Sequence, residues 1–275
     1  MDFVPDCKSA CEAIKLSDMF SRYSKAYVIT NEDLRESMGF MPKKCNRALT
    51  VAASGDHPLF ASLYGAKHVD TFDISYNAKC IMDIKVAALS FMRCDTYKNL
   101  LDDLYWINDI QKVPKIKKIL QKLPITEFNY LCNMKGHMLF SHGLEPLSFH
   151  EKQFPTKQEY KKIRKFVKKP YNFIMTDIGN LSDHLTETYD FIHLSNVLDY
   201  VPMFKITDTI TPLLKHVNVG GRILMLDENR LIHEQNYGFQ YGPTCAYSCE
   251  TVVRIFKGWR FIKANNCINI LERLR

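Results

Sequence analysis

Short apolar runs separated by turn residues dominate the sequence between residues 47 and 75. Residues 48–53 form one such run, the turn Ser54-Gly55-Asp56 ends it, and residues 58–63 follow with helical spacing and a proline at their start. Proline is tolerated in the first turn of a helix. A second apolar run covers residues 69–74. This order predicts strand, turn, helix and strand, which is one βαβ unit.

The pattern then becomes helical over a long stretch. Between residues 77 and 169, apolar positions recur at helical spacing, and this stretch is too long for a simple crossover. Thr156 and Glu159 have the spacing of a capping box, which predicts the start of the last helix there. We therefore predict a helical insert over about 85–169. Residues 1–40 are predicted to be a helical segment and residues 41–275 one domain that contains the insert.

Strand patterns return after the insert. A helix through Ile210 and Leu214, followed by a turn at Gly220-Gly221, is expected before the last of three apolar strands. The chain ends in two runs that predict an antiparallel hairpin. Alternating strands and helices predict an α/β fold, a Rossmann-like, doubly wound and mainly parallel sheet. The predicted strands of this half cover residues 172–176, 190–194, 222–226, 259–263 and 267–274.

The composition fits this fold, with 46% hydrophobic and 24% charged residues. The sequence has no uninterrupted apolar run long enough to span a membrane, and its start lacks a signal-peptide pattern, so a cytoplasmic protein is expected.

The nine cysteines are an odd number and suit free thiols. Cys7/Cys11 and Cys245/Cys249 share a C-x-x-x-C spacing, which leaves zinc binding as an alternative. No metal site is predicted from this spacing alone.

The candidate chemistry lies where predicted strands end, because open parallel sheets bind ligands at the carboxyl ends of their strands. The turn after the first strand contains Ala53, Ser54, Gly55 and Asp56, and Asp73-Ile74 ends the second strand. A carboxylate about 20 residues after the glycine is typical of ribose binding. The turn lacks the three glycines of a dinucleotide site, and Asp56 suits a cofactor ammonium or sulfonium better than phosphate.

Later strand ends supply the remaining candidates. Asp177 and Ile178 follow the third strand, where Asp177 either binds the adenine amino group or caps a helix. After the fourth strand, Ser195 is predicted to contact the cofactor, and the catalytic candidates are Asn196, Asp199 and Tyr200. Capping of the next helix is the alternative for this cluster. A loop after the fifth strand adds three weaker candidates for covering the acceptor: His233, Tyr237 and Tyr241.

Three segments resemble class I S-adenosylmethionine-dependent transferases: LTVAASGDHPLFASLYGAKHVDTFDIS (49–75), DFIHLSNVLDY (190–200) and VGGRILML (219–226). Together with the insert segment FSHGLE (140–145), they are most similar to the diacylglycerol 3-amino-3-carboxypropyltransferase-like family of betaine-lipid synthesis. The resemblance implies S-adenosylmethionine as cofactor, with Gly55 and Asp73 as cofactor residues. It places Ser195, Asn196 and Asp199 beside the sulfonium.

The expected activity is transfer of a methyl or a 3-amino-3-carboxypropyl group to an unidentified acceptor. A small molecule or a lipid head group is favoured as the acceptor. The formal charge of +7 and the basic stretches 112–118 and 157–169 also suit nucleic acid, unless these lysines form a solvated helix face. The main alternative is a non-catalytic module that binds an adenosine ligand. A nicotinamide-dependent oxidoreductase is disfavoured by the missing glycines.

Overall fold

The computed structural model describes residues 26–107, 109–133, 140–141, 154–167, 171–227, 244–265 and 267–275. Their strands are β1 (Ala26–Tyr27), β2 (Arg47–Val51), β3 (His68–Asp73), β4 (Phe140–Ser141), β5 (Asn172–Met175), β6 (Tyr189–His193), β7 (Val217–Leu226), β8 (Trp259–Lys263) and β9 (Ile268–Arg273). The α-helices are α1 (Leu34–Met38), α2 (Asp56–Leu63), α3 (Tyr76–Phe91), α4 (Cys94–Trp106), α5 (Ile116–Leu120), α6 (Ile125–Asn133), α7 (Lys157–Phe166), α8 (Leu181–His184), α9 (Ile206–Ile210) and α10 (Thr244–Ile255). Short 3₁₀ helices cover Ile110–Lys112, Val197–Tyr200, Met203–Lys205 and Thr211–His216.

Seven strands form the principal sheet, in the order β5-β3-β2-β6-β7-β9-β8. The pairs β2–β3, β2–β6 and β6–β7 are parallel, whereas β7–β9 and β8–β9 are antiparallel. This confirms the predicted mainly parallel α/β sheet with a C-terminal antiparallel hairpin. Strand β2 lies between β3 and β6, so the strand order reverses there. Ligand sites of open α/β sheets lie at such a reversal, beyond the carboxyl ends of the strands.

The chain divides into two compact units. Unit 1 comprises the described residues of 1–34, 52–63 and 73–175, and unit 2 comprises 35–51, 64–72 and 176–275. Helix α3 is the central helix of unit 1, where Ile81, Ile84 and Ala88 are fully buried. Because α3 is continuous from Tyr76 to Phe91, the start predicted for the insert, about residue 85, falls inside a helix.

Helix α7 begins with the predicted capping box. The Thr156 hydroxyl accepts from the Glu159 amide at 3.2 Å, and the Glu159 carboxylate accepts from the Thr156 amide at 2.7 Å. The apolar side of α7 docks within unit 1, since Tyr160 and Ile163 are 3% and 1% exposed. The Tyr160 hydroxyl donates to the Met92 carbonyl at 3.0 Å. The lysines of α7 therefore lie on its solvent side.

One local expectation was wrong. Gly220-Gly221 does not form a turn before β7; both glycines lie inside the strand. The register against β6 changes there, because Tyr189 pairs with Val217 whereas Phe191 pairs with Arg222. This bulge absorbs the extra residues and uses Gly220 at φ +78°.

The described part of the predicted N-terminal helical segment also differs from a helix. Residues 26–27 form β1, which pairs in parallel with β4, and only α1 is helical. Val28 and Ile29 beside β1 are buried, so burial in unit 1 holds this stretch in place. Residues 1–25, with Cys7 and Cys11, lie outside the described residues.

The described cysteines are free thiols, and Cys245 and Cys249 are both buried on α10. Burial raises the pKa of the Cys249 thiol well above its ordinary value, as does the nearby negative charge of Asp227. Among the described helices, none combines the length and the apolar character needed to cross a bilayer.

In unit 2, a buried carboxylate links β7, β8 and β9. Glu272 is 7% exposed and accepts hydrogen bonds from Arg222 at 2.9 and 3.1 Å and from Arg260 at 2.9 Å. Burial opposes the charge of Glu272, but the hydrogen bonds from the two guanidinium groups outweigh it. The pKa of this carboxyl is therefore lowered.

We expect Glu272→Gln to lower the free energy of unfolding at neutral pH by about 1–3 kcal/mol, because it removes charge-assisted hydrogen bonds. Since the folded pKa is lowered, this stability is present above the ordinary carboxyl pKa of about 4.3 and is lost as the pH falls through the folded value. Urea unfolding at neutral pH and at about pH 3 measures both effects. Glu250→Gln, an exposed change on α10, is the control; equal losses in the two variants would contradict this account.

Candidate functional site

The turn between β2 and α2 is held in an unusual backbone conformation. Ala53 has φ +46° and Gly55 has φ +80°, both in the left-handed region that residues other than glycine rarely adopt. The Gly55 amide donates to the Ala52 carbonyl at 2.6 Å, which closes the turn. A Cβ atom at Gly55 would lie 2.8 Å from the Met82 Cα of α3. Glycine is therefore required both for the turn and for close packing of α3.

Asp56, at the start of α2, is buried and has partners for both carboxylate oxygens. Its Oδ1 accepts from Lys85 Nζ at 2.6 Å, and its Oδ2 accepts from the Ser54 hydroxyl at 2.7 Å and the Thr30 amide at 3.0 Å. Lys85 is fully buried on α3, and burial lowers the pKa of its ammonium although Asp56 opposes this shift. The Asp56 carboxylate therefore faces Lys85, which differs from the expectation that it faces a cofactor charge.

The segment before α1 also contacts this turn. Besides the Thr30 amide on Asp56, the Glu32 carboxylate lies 3.0 Å from His57 Nε2, with both side chains almost fully buried. These contacts join residues 30–32 to the first turn of α2. The turn is therefore restrained by α3 on one side and by the chain before α1 on another.

Asp73 ends β3, as predicted, and its carboxylate contacts the same turn. Its Oδ2 accepts from the Ala53 amide at 2.9 Å, and its Oδ1 accepts from the Ser75 amide at 2.9 Å. Burial raises the pKa of the Asp73 carboxyl to about 6, although hydrogen bonds from the Ser75 and Ala53 amides oppose the shift. Each oxygen keeps lone-pair capacity for a further donor. The structure thus brings together two parts of the predicted cofactor site in unit 1.

Ile74 is the next residue and is 48% exposed. An exposed isoleucine directly after a partly buried carboxylate supplies an apolar surface beside a hydrogen-bond acceptor. Ala53 is small and partly exposed, whereas the next residues of the turn, 54–56, are buried. These two residues can accept a hydrogen bond from a hydroxyl group and contact a flat apolar group.

Asp177 and Ile178 lie in unit 2 before α8, and both are partly exposed. The Asp177 Oδ1 accepts from the Gly179 amide at 2.8 Å and the Asn180 amide at 3.2 Å, and Oδ2 accepts from the Asn180 side chain at 2.6 Å. These are the contacts of a side-chain turn before a helix. Asp177 is not the predicted N-cap of α8, because Asn180 occupies that position, and its carboxylate instead holds the turn before the helix.

Ser195, after β6 in unit 2, also has a left-handed backbone, with φ +57°. Its amide donates to His193 Nδ1 at 3.1 Å, its carbonyl accepts from the Leu226 amide at 2.8 Å, and its hydroxyl donates to Asn196 Oδ1 at 3.2 Å. Left-handed serine is sparsely populated and costs about 1–3 kcal/mol, so such residues are concentrated at functional sites. The Ser195 and Asn196 side chains are thus in contact, as expected for one cluster.

Asp199 and Tyr200 lie in the 3₁₀ helix that follows, rather than in the first turn of an α-helix. The Asp199 amide donates to the Asn196 carbonyl at 3.0 Å, and Tyr200 is 42% exposed. Burial raises the pKa of Cys245 far above its ordinary value, with Asp227 and Asp199 adding to the shift. Asp199 therefore lies close enough to α10 to affect its thiol. The catalytic roles of Asn196, Asp199 and Tyr200 stay predictions.

Lys85 and Thr30 support the turn but were absent from the sequence prediction. The apolar face of α3 contains Ile81, Ile84 and Ala88, and Lys85 shares this face. A lysine in an apolar helical stripe signals a buried partner, because an unpaired buried ammonium is costly. Thr30 acts through its backbone amide, which no sequence motif reveals. His233, Tyr237 and Tyr241 lie outside the described residues.

No protein-family model matches the chain, and no curated protein matches it. Among solved structures, it is similar to the plantazolicin methyltransferase BpumL in complex with SAH (10% identity, 99% of this chain and 92% of that chain, TM-score 0.44). It is also similar to the rRNA methyltransferase aviRa from Streptomyces viridochromogenes (13%, 87% and 81%, TM-score 0.41) and to the N-methyltransferase NodS from Bradyrhizobium japonicum WM9 (14%, 86% and 89%, TM-score 0.39). Similarities this distant identify neither a family nor an activity, so the fold assignment rests on the strand order.

We expect Gly55→Ala to destabilise the protein by about 1–3 kcal/mol more than Gly220→Ala. The two glycines have almost the same φ, +80° and +78°, but only Gly55 has a backbone atom where the new methyl group would lie. The difference between the variants therefore measures the clash with α3 apart from the backbone strain. Urea unfolding of both variants provides the comparison. Equal destabilisation would show that the close packing of α3 against Gly55 does not add to the cost of the substitution.

Lys85→Met is expected to lower the free energy of unfolding by about 3–5 kcal/mol, because it leaves the Asp56 carboxylate buried without its cation. Adding Asp56→Asn to Lys85→Met should recover about half of the loss, since the buried charge is then removed as well. Thermal and urea unfolding measure both variants. Lys161→Met removes an exposed lysine of α7 and serves as the control. A loss no larger than in this control would refute the buried pair.

Proposed function

We propose that this chain binds S-adenosylmethionine through unit 1 and transfers one of the cofactor's carbon groups. The observation that carries the proposal is the Asp73 carboxylate at the end of β3, which accepts the Ala53 amide of the turn after β2 at 2.9 Å. This contact supports a role for the Asp73 carboxylate, which keeps acceptor capacity, in binding a ligand that the backbone of the turn approaches. The turn follows β2 and Asp73 ends β3, and these two strands pair in parallel.

Each residue of unit 1 has a defined role in this proposal. Asp73 accepts hydrogen bonds from the ribose hydroxyls, and Ile74 provides the apolar surface for the adenine base. Ala53, Ser54 and Gly55 form the turn that faces the amino acid part of the cofactor. Asp56 was predicted as a direct contact; its buried pair with Lys85 supports a role in holding the turn instead. A turn with one glycine and no free cation suits this ligand better than a dinucleotide.

The transfer step needs alignment more than covalent chemistry from the protein. The bound cofactor would supply a positive sulfur that makes its attached carbons electrophilic and then leaves. For the acceptor side, we retain Asn196, Asp199 and Tyr200 as the candidate positioning and proton-accepting groups. We also retain Ser195 as a candidate for contact with the cofactor, because its backbone is strained and its hydroxyl contacts Asn196. Asp177 and Ile178 remain candidates for the adenine edge.

The product left from the cofactor identifies the group that is transferred. Methyl transfer leaves S-adenosylhomocysteine, whereas 3-amino-3-carboxypropyl transfer leaves methylthioadenosine. Mass analysis of the cofactor after incubation with the protein and a cell extract separates them, with a protein-free control for spontaneous breakdown. Tight binding without either product would favour the non-catalytic binding module. Small molecules and lipid head groups remain the favoured acceptors.

We expect affinity for S-adenosylmethionine to fall as the pH falls through about 6, because only the ionised Asp73 carboxylate accepts both ribose hydroxyls. Because the pKa of folded Asp73 is raised, keeping this buried carboxylate ionised costs free energy above its ordinary pKa of about 4. Hydrogen bonds from the ribose hydroxyls would reduce that cost. Binding near pH 6 should therefore release protons. Isothermal titration in two buffers of different ionisation enthalpy measures the release.

Asp73→Asn should weaken binding about 10- to 100-fold and abolish both the pH dependence and the proton release. Asp95→Asn, an exposed change on α4, is the matched control and should behave as the parent. The proposal fails if the parent does not bind, or if Asp73→Asn binds as the parent does with the same pH profile.

A further inference from the structure

Two segments of unit 1 carry a strong excess of positive charge. Residues 112–122 and 157–167 together contain ten lysines and arginines and a single acid, Glu159. That acid accepts the Thr156 amide in the capping box of α7, so it is directed to the backbone. Two segments with net charges of +5 and +4 thus contribute to one compact unit.

Within the part of the chain that the structure describes, most of these cations form no ion pair. Among the described residues, only Lys112 of this set has a carboxylate within 4.0 Å, namely Asp109 at 3.7 Å. The other basic side chains of the two segments are exposed: Lys115, Lys117, Lys118, Lys122, Lys157, Lys161, Lys162, Arg164 and Lys165. A surface with this excess of unneutralised cations attracts polyanions.

The two basic segments meet at the C-terminal end of α3. Lys122 Nζ lies 5.2 Å from the centroid of the Phe91 ring, and Arg164 donates to the Ser90 carbonyl at 3.2 Å. Phe91 itself is 39% exposed. An accessible aromatic ring therefore lies beside a lysine of one segment, and the residue before it, Ser90, contacts an arginine of the other. We call this surface, residues 90–91, 112–122 and 157–165, the basic face.

An anionic membrane is a poorer fit than nucleic acid. Stable membrane association requires an apolar face in addition to charge, yet the apolar residues of α7, Tyr160 and Ile163, are directed inward at 3% and 1% exposure. An aromatic ring among cations is the arrangement that binds single strands, since bases stack on the ring while lysine and arginine contact the phosphates. Duplexes offer no free base face for this contact.

We propose that the basic face of unit 1 binds single-stranded nucleic acid, with Phe91 as the stacking platform for a base. Lys122 and Arg164 contact the phosphates on either side of that base. The remaining lysines of the two segments extend the path of the strand. This inference does not depend on the proposed transferase activity, because it uses no residue of the Asp73 site.

Fluorescence anisotropy with labelled RNA and DNA oligonucleotides of about 12 nucleotides tests the proposal. We expect binding to either single strand, with log K falling linearly with log salt at a slope of about −3 for four phosphate contacts. Phe91→Ala should weaken binding about 5- to 100-fold with the slope unchanged, because it removes stacking and no charge. Lys117→Glu with Lys118→Glu, and Lys161→Glu with Lys162→Glu, should each weaken binding at least about tenfold and reduce the slope.

The charge-matched control is Lys257→Glu with Lys263→Glu, two exposed lysines of unit 2, which should retain parental binding. Circular dichroism and melting temperature establish that each variant is folded. The proposal is overturned if the parent binds no single strand at low salt, or if it binds anionic vesicles but no oligonucleotide. It is equally overturned if the control loses as much affinity as the two variants of the basic face, or if Phe91→Ala binds as the parent does.

Discussion

The buried ion pair between Lys85 and Asp56 is the contact on which the candidate cofactor site depends. It connects α3 to the start of α2, and the same Asp56 carboxylate accepts from Ser54 and from the Thr30 amide. An ion pair without exposure to water persists only when geometry and further hydrogen bonds offset desolvation. Because these contacts restrain the turn, the Ala53 amide lies within reach of Asp73.

Much of the fold was predictable because strands and helices bury different periodic patterns. Strand β8 has the predicted bounds, β5 differs from prediction by one residue at one end, and β3 and β6 differ by one residue at both ends. The position of Asp73 followed from its distance along the chain from Gly55, since a βαβ unit of fixed length brings both to one edge of the sheet. The capping box of α7 followed from two side chains three residues apart.

Other features depend on tertiary contacts that no local pattern encodes. Gly220-Gly221 has the composition of a turn, but pairing with β6 keeps it in β7 as a bulge. The strained backbones of Ala53 and Ser195 arise from the contacts around them, since neither residue type favours a positive φ. Asp56 was predictable as a polar residue in the turn, but its partner lies 29 residues away on α3. Only the structure therefore shows that the Asp56 carboxylate is directed toward Lys85.

The central claim is that the turn after β2 and Asp73 together hold a nucleoside. The measurement that tests it most directly is a crystal structure of the protein with S-adenosylhomocysteine. The account predicts both ribose hydroxyls within hydrogen-bond distance of the Asp73 carboxylate and the adenine base against Ile74. A nucleoside bound elsewhere on the protein, with Asp73 still contacted only by the amides of Ala53 and Ser75, would contradict it.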